Sequence, residues 1–175
     1  MHYIVGIDPG NVQSAYCICN EDLKPMWFGK MENELMWADM VDKLQLLLPT
    51  DSVEFAIEMI ASYGLSVGKE VFDTCVWIGR MTERLRAYPV TYIYRKDEKL
   101  AICGAMRAND ASIRQALVDR FAPGEQNYGK GTKHAPGFFY GFRADIWQSF
   151  AVAVTHHDLQ EERNGNYCGD PCPGI

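Results

Sequence analysis

The sequence has no apolar run approaching the roughly 20 residues of a membrane span, and no basic stretch followed by an apolar one at its N-terminus. A membrane or secreted protein is therefore not expected, and the chain is read as cytoplasmic. There are no internal repeats and no tract resembling an interdomain linker, which argues against a repeat array or two domains. The six cysteines are not arranged as a disulfide framework. Cys17, Cys19, Cys75 and Cys103 fall within expected strands or helices as reduced, buried thiols. Cys168 and Cys172 lie near the end, and two ligands do not make a structural zinc site. Net positive charge is also lacking: the formal charge is −6, which at first argues against a nucleic-acid partner.

What is present points elsewhere. A chain of 175 residues that is 47% apolar can build a full core without metal or disulfide staples. The charge is unevenly spread. Residues 95–143 carry nine Lys/Arg against five Asp/Glu, a balance of +4, so the rest of the chain carries −10. A basic segment on an acidic body suits an electrostatic footprint for DNA.

The pattern of elements is α/β. His2 to Asp8, Val12 to Cys19 and Leu23 to Met31 read as three strands joined by tight turns, hence an antiparallel meander. Glu34 to Leu48 has helical apolar spacing and stops at Pro49. Val53 to Met59 is a fourth strand, Leu65 to Tyr88 a long helix, and Val90 to Tyr94 a fifth strand. Asn109 caps a helix to about Phe121, and Ala144 to about Leu159 forms the last helix. A mixed five-stranded sheet flanked by helices follows. The expected domain is residues 1–160, with 161–175 as a tail. If strand four returns beside strand one, a right-handed crossover makes them parallel. Asp8 and Glu58 then share the carboxyl edge of the sheet, about 5 Å apart, where sites in open α/β sheets form.

Two close carboxylates repel, and a divalent cation with hard-oxygen preference relieves that repulsion. Asp145 opens a helix rich in small apolar residues, with Gln148 one turn on along the same face. The long helix has apolar residues on two sides, among them Phe72, Val76 and Trp77, and one side is available to a partner subunit. The loop from Gly124 to Gly141 mixes cations with aromatics, as nucleic-acid grooves do.

Three motifs, Gly6-Ile7-Asp8-Pro9-Gly10, Ala56-Ile57-Glu58 and Asp145-x-x-Gln148-x-x-Ala151-Val152-Ala153-Val154-Thr155-His156, come in an order that resembles the RuvC-type Holliday junction resolvases of the RNase H-like superfamily. The resemblance spans residues 3 to about 157. It implies an RNase H-like fold, a homodimer, and symmetric cleavage of four-way DNA junctions with Asp8, Glu58 and Asp145 as catalytic metal ligands. Two Mg2+ or Mn2+ ions per site are implied, with Gln148 standing where the family carries a fourth acid. Gln148→Asp is accordingly expected to strengthen metal binding. The candidate nucleic-acid contacts are Tyr63, Arg107, Arg114, Lys130, Lys133 and Arg143. The sequence departs from the pattern twice more. Asp110 stands where bacterial resolvases often carry a lysine, and Ala61 replaces an aromatic wedge for which Tyr63 is the nearest substitute. These departures leave open a nuclease for other branched or flapped DNA, or a non-catalytic DNA-binding scaffold.

Overall fold

Alternating side chains divide the first strand, β1 (His2–Asp8), between two cores: Ile4 faces one side, while Tyr3, Val5 and Ile7 face the other. The next strand, β2 (Gln13–Asn20), does the same, with Ala15, Cys17 and Cys19 opposite Tyr16 and Ile18. A period of two with both faces apolar requires cover on both sides of the sheet. In the computed structural model, which describes residues 1–61, 64 and 66–166, helices supply that cover.

The remaining elements are β3 (Pro25–Glu32), α1 (Asn33–Leu44), β4 (Ser52–Met59), α2 (Lys69–Arg84), β5 (Val90–Tyr94), α3 (Arg95–Cys103), α4 (Asp110–Phe121) and α5 (Ile146–Asn166). The five strands lie in the order β3-β2-β1-β4-β5. The first three form the expected antiparallel meander, and β4 runs parallel to β1 with Ile7 beside Ile57. Met36 and Met40 of α1, and Trp77, Ile78 and Met81 of α2, fill one face. The other face is covered by α4, α5 and a cluster of aromatic rings.

Helix α5 dominates that second face. Its residues Phe150 to Val154 are almost fully buried, although Val152, Val154 and Thr155 are poor helix formers. Burial on the sheet overrides the propensity, and Gly6 makes the close approach possible. A Cβ at Gly6 would lie 2.0 Å from the Ser149 carbonyl oxygen and 2.8 Å from the Ala153 nitrogen. The glycine of the first motif is thus a packing residue that lets α5 cross β1.

The structure departs from the sequence reading in several places. Residues 95–103 form α3, a short, polar helix that apolar periodicity does not reveal; Gly104 in the left-handed region (φ 62°) ends it. Helix α2 ends at Arg84, and α1 stops at Leu44, leaving Leu46 and Leu48 exposed. Cys75 is exposed, since it lies on the outer side of α2. Trp77 is a core residue 4% exposed whose ring N–H donates to Ser14 Oγ at 3.0 Å, so it cannot line a partner-facing side. The loop rings Phe139 and Phe142 are buried against Trp147 and Phe150, where they close the core instead of presenting faces outward. Asp145 precedes α5 instead of lying in its first turn; its carbonyl accepts from the Ser149 N–H at 2.9 Å. Tyr63, Cys168 and Cys172 lie outside the described residues. Among the described residues, no helix is long and apolar enough to cross a membrane.

Candidate active site

The carboxyl ends of β1 and β4 deliver Asp8 and Glu58 side by side, and their carboxyl groups share a hydrogen bond. Two carboxyls in that contact must share a proton. Burial, followed by the charges of Glu58, Asp145 and Glu98, pushes the Asp8 carboxyl up to about 9. Burial also raises Glu58, opposed by the Arg95 guanidinium and by a hydrogen bond from Gln148.

An open cleft of about 470 Å3 lies over this edge, lined by Asp8, Glu58, Arg95, Asp110, Arg114, Asp145 and Gln148, with Trp147, Ile113 and Leu117 as apolar wall. Asp145 reaches it from the entry to α5, where Ala144 takes a left-handed backbone (φ 42°) that a non-glycine residue rarely adopts. Its Oδ2 is held by Lys30 Nζ of β3 at 2.5 Å.

Sequence reasoning missed three residues here: Lys30, Arg95 and Glu98. Glu98, on α3, is fully buried and 0% exposed. Its Oε2 accepts from Arg95 Nη1 at 2.6 Å and from Gln148 Nε2 at 2.5 Å, while Oε1 has no partner among the described residues. Burial and then the Glu58 charge push this carboxyl up to about 8, against the pull of Arg95. Arg95 also pairs with Asp110, the residue standing where a lysine was looked for. A signal was available: β5 lies parallel to β4 with Met59 beside Tyr94, so the strand-end rule that selects Asp8 and Glu58 also selects Arg95.

The other candidates divide. Arg114 lines the cleft, and its guanidinium lies 5.7 Å from the Tyr128 ring centroid. Arg107, Lys133 and Arg143 are exposed and Lys130 is half-buried; none of the four lines the cleft.

The donor chemistry fits a hard divalent cation. Carboxyl and amide oxygens line the cleft, and the raised Asp8 and Glu58 carboxyls carry the repulsion that such a cation relieves. Lys30 and Arg95 now supply positive charge to that cluster. Among the described residues, however, no three His, Cys, Asp or Glu side chains already stand as a finished ligand cage. Binding would have to draw Asp145 from Lys30.

No family model and no curated protein matches the sequence. Solved structures do match. The structure of Thermus thermophilus RuvC aligns over 92% of this chain and 96% of its own, with TM-score 0.61 and 15% identity. T. thermophilus RuvC in complex with Holliday junction substrate aligns over 93% of this chain and 96% of its own, with TM-score 0.65 and 14% identity. The chain has the RuvC-type resolvase fold. At this identity the likeness establishes backbone architecture; side-chain roles rest on the geometry above. Within the RuvC-type fold, the three acids singled out from sequence share one cleft, which Gln148 also lines.

Proposed function

We propose that this chain is a metal-dependent endonuclease that hydrolyses phosphodiester bonds in branched DNA, four-way junctions in particular, and that residues 1–160 are its catalytic unit. The observation that carries this reading is the convergence of Asp8, Glu58 and Asp145 on one cleft at the carboxyl edge of the sheet, within a RuvC-type fold. A structural neighbour in complex with Holliday junction substrate supports branched DNA as the substrate class.

Asp8, Glu58 and Asp145 would hold Mg2+ or Mn2+, two ions per site, with Gln148 contributing a neutral oxygen. The bound ions would supply Lewis-acid stabilisation of the phosphate and a deprotonated water. The chain's own residues then have distinct tasks. Arg114, on the cleft wall, offers a bidentate donor fork to a phosphate. Exposed Arg107, Lys133 and Arg143 add charge that positions the duplex arms without reading sequence. Tyr63 remains the candidate for a side chain that enters the junction.

Two symmetric cuts call for two sites, and a two-fold homodimer supplies them. The outer side of α2 exposes Phe72 and Val76, 61% and 59% accessible, and is the surface we assign to the partner.

A nicking assay on four-way, three-way, flapped and linear DNA with Mg2+ tests the substrate. Cleavage strongest on four-way junctions is expected; equal cleavage of linear duplex would defeat junction selectivity. Asp8→Asn, Glu58→Gln and Asp145→Asn should each lose cleavage while still retarding junction DNA in a gel. Wild-type rates in any of the three would remove that residue from the site.

A further inference from the structure

Glu98 is an acidic residue with no solvent contact, on a helix that the three candidate metal-site acids do not occupy. Such a group is costly to bury and calls for a reason beyond stability. Its surroundings supply one. The Gln148 amide nitrogen donates to Glu98 Oε2 at 2.5 Å, and Gln148 lines the same cleft as Glu58. A primary amide has two N–H donors and one carbonyl oxygen. With the nitrogen end held by Glu98, the carbonyl oxygen is the end left for the cleft, and it is the only end a cation can use. Arg95 braces Glu98 from the other side at 2.6 Å. Glu98 Oε1 has no partner among the described residues, so the contact to Gln148 is not incidental to a saturated network.

We propose that Glu98 is a positioning residue that fixes the amide of Gln148 with its carbonyl oxygen available to a divalent cation bound by Asp8 and Glu58. This rests on the metal-site reading above and deepens it. The fourth ligand position of the site is then a neutral amide held by a buried acid one helix away. Without Glu98, the amide of Gln148 is free to turn over and present N–H groups to the cation. The gain expected from Gln148→Asp also becomes conditional, because that carboxylate would be placed against Glu98.

The test is Mn2+ binding by full-length protein without DNA, with free Mn2+ read by electron paramagnetic resonance. Groups that hold a metal ligand in place are worth about 10- to 100-fold in affinity. Glu98→Ala should weaken Mn2+ binding by about that factor. Glu98→Gln, whose carbonyl still accepts from Gln148 and Arg95, should restore binding to within a few-fold. In a Gln148→Ala background, Glu98→Ala should have no further effect, because nothing remains to be positioned. Should circular dichroism find Glu98→Ala unfolded, Glu98→Met fills the same volume and replaces it in both backgrounds. A purely structural role would lower the melting temperature but cost the same Mn2+ affinity whether or not Gln148 is present. That outcome, or Glu98→Gln as damaging as Glu98→Ala, or no loss at all, overturns the proposal. Asp8→Asn separates the two levels of the argument. If wild type binds Mn2+ and Asp8→Asn does not, the metal site stands whatever Glu98 does. If wild type binds none, the site reading falls and the proposal falls with it.

Discussion

Asp8 is hydrogen-bonded to a second carboxyl and lies within the field of two more, and its folded pKa of about 9 lies far above its ordinary value of 3.8. The folded metal-free chain therefore holds a proton there that the unfolded chain releases near pH 4. Stability linked to Asp8 is greatest below that pH and falls as pH rises through the window from about 4 to about 9. Glu98, raised to about 8 chiefly by burial, acts in the same direction over a narrower window. The metal-free protein should consequently melt several degrees lower at about pH 8 than at about pH 5, since about 1 kcal/mol moves a domain of this size by about 2–4 °C. Asp8→Asn should flatten that slope, and Mg2+ should raise the melting point more at the higher pH. Melting curves of wild type that coincide at the two pH values would contradict the shared-proton picture. The same residues mark the limit of what sequence could disclose. Asp8 and Glu58 were legible because each ends a strongly apolar strand. Glu98 was not, because one acid within the charged run Arg95 to Lys99 carries no sign that packing of α3 against α5 will bury it.

Strands and long helices were legible from alternation and spacing, because the forces that pattern them act along the chain. Helix α3 was hidden for the opposite reason. Its nine residues are mostly polar, and its supports are local: Asp97 Oδ2 accepts from the Tyr94 N–H at 3.2 Å, and Gly104 closes the last turn. The crossing of β1 and α5 is the element-level contact on which the site depends. Gly6→Ala would place a methyl group 2.0 Å from a backbone carbonyl, which neither rigid element can yield to. A destabilisation of about 3 kcal/mol or more is expected from such overpacking. Denaturant midpoints would measure it, and a shift below about 0.5 kcal/mol, the scale of an ordinary surface change, would mean that α5 is less firmly seated than described. Cleavage by this variant should fall together with its stability, since Asp145 and Gln148 travel with α5.

At the scale of the whole molecule, the unsatisfied feature is the outer side of α2, where Phe72 and Val76 are open to solvent. Phe72→Glu should convert a dimer into a monomer in sedimentation at micromolar concentration, with little change in melting temperature. Trp77→Glu should instead unfold the chain, because Trp77 packs in the core and donates to Ser14. A wild-type monomer at that concentration would remove the symmetric-dimer reading while leaving the candidate site of the single chain untouched.

Helix α5 also ties the site to the far edge of the sheet. Ten residues beyond Ile146, buried His156 directs Nε2 at Glu54 Oε2, 2.9 Å away, and burial holds its imidazole below the usual range, so the neutral ring donates to the carboxylate. Gln160 donates to the same oxygen. At 1.5 Å per residue, that anchor stands about 15 Å from the helix entry. The helix is thus fastened at two places, by its close packing over Gly6 and by its bonds to Glu54. Glu54 does not line the cleft, yet α5 joins it in one continuous helix to Gln148, which does.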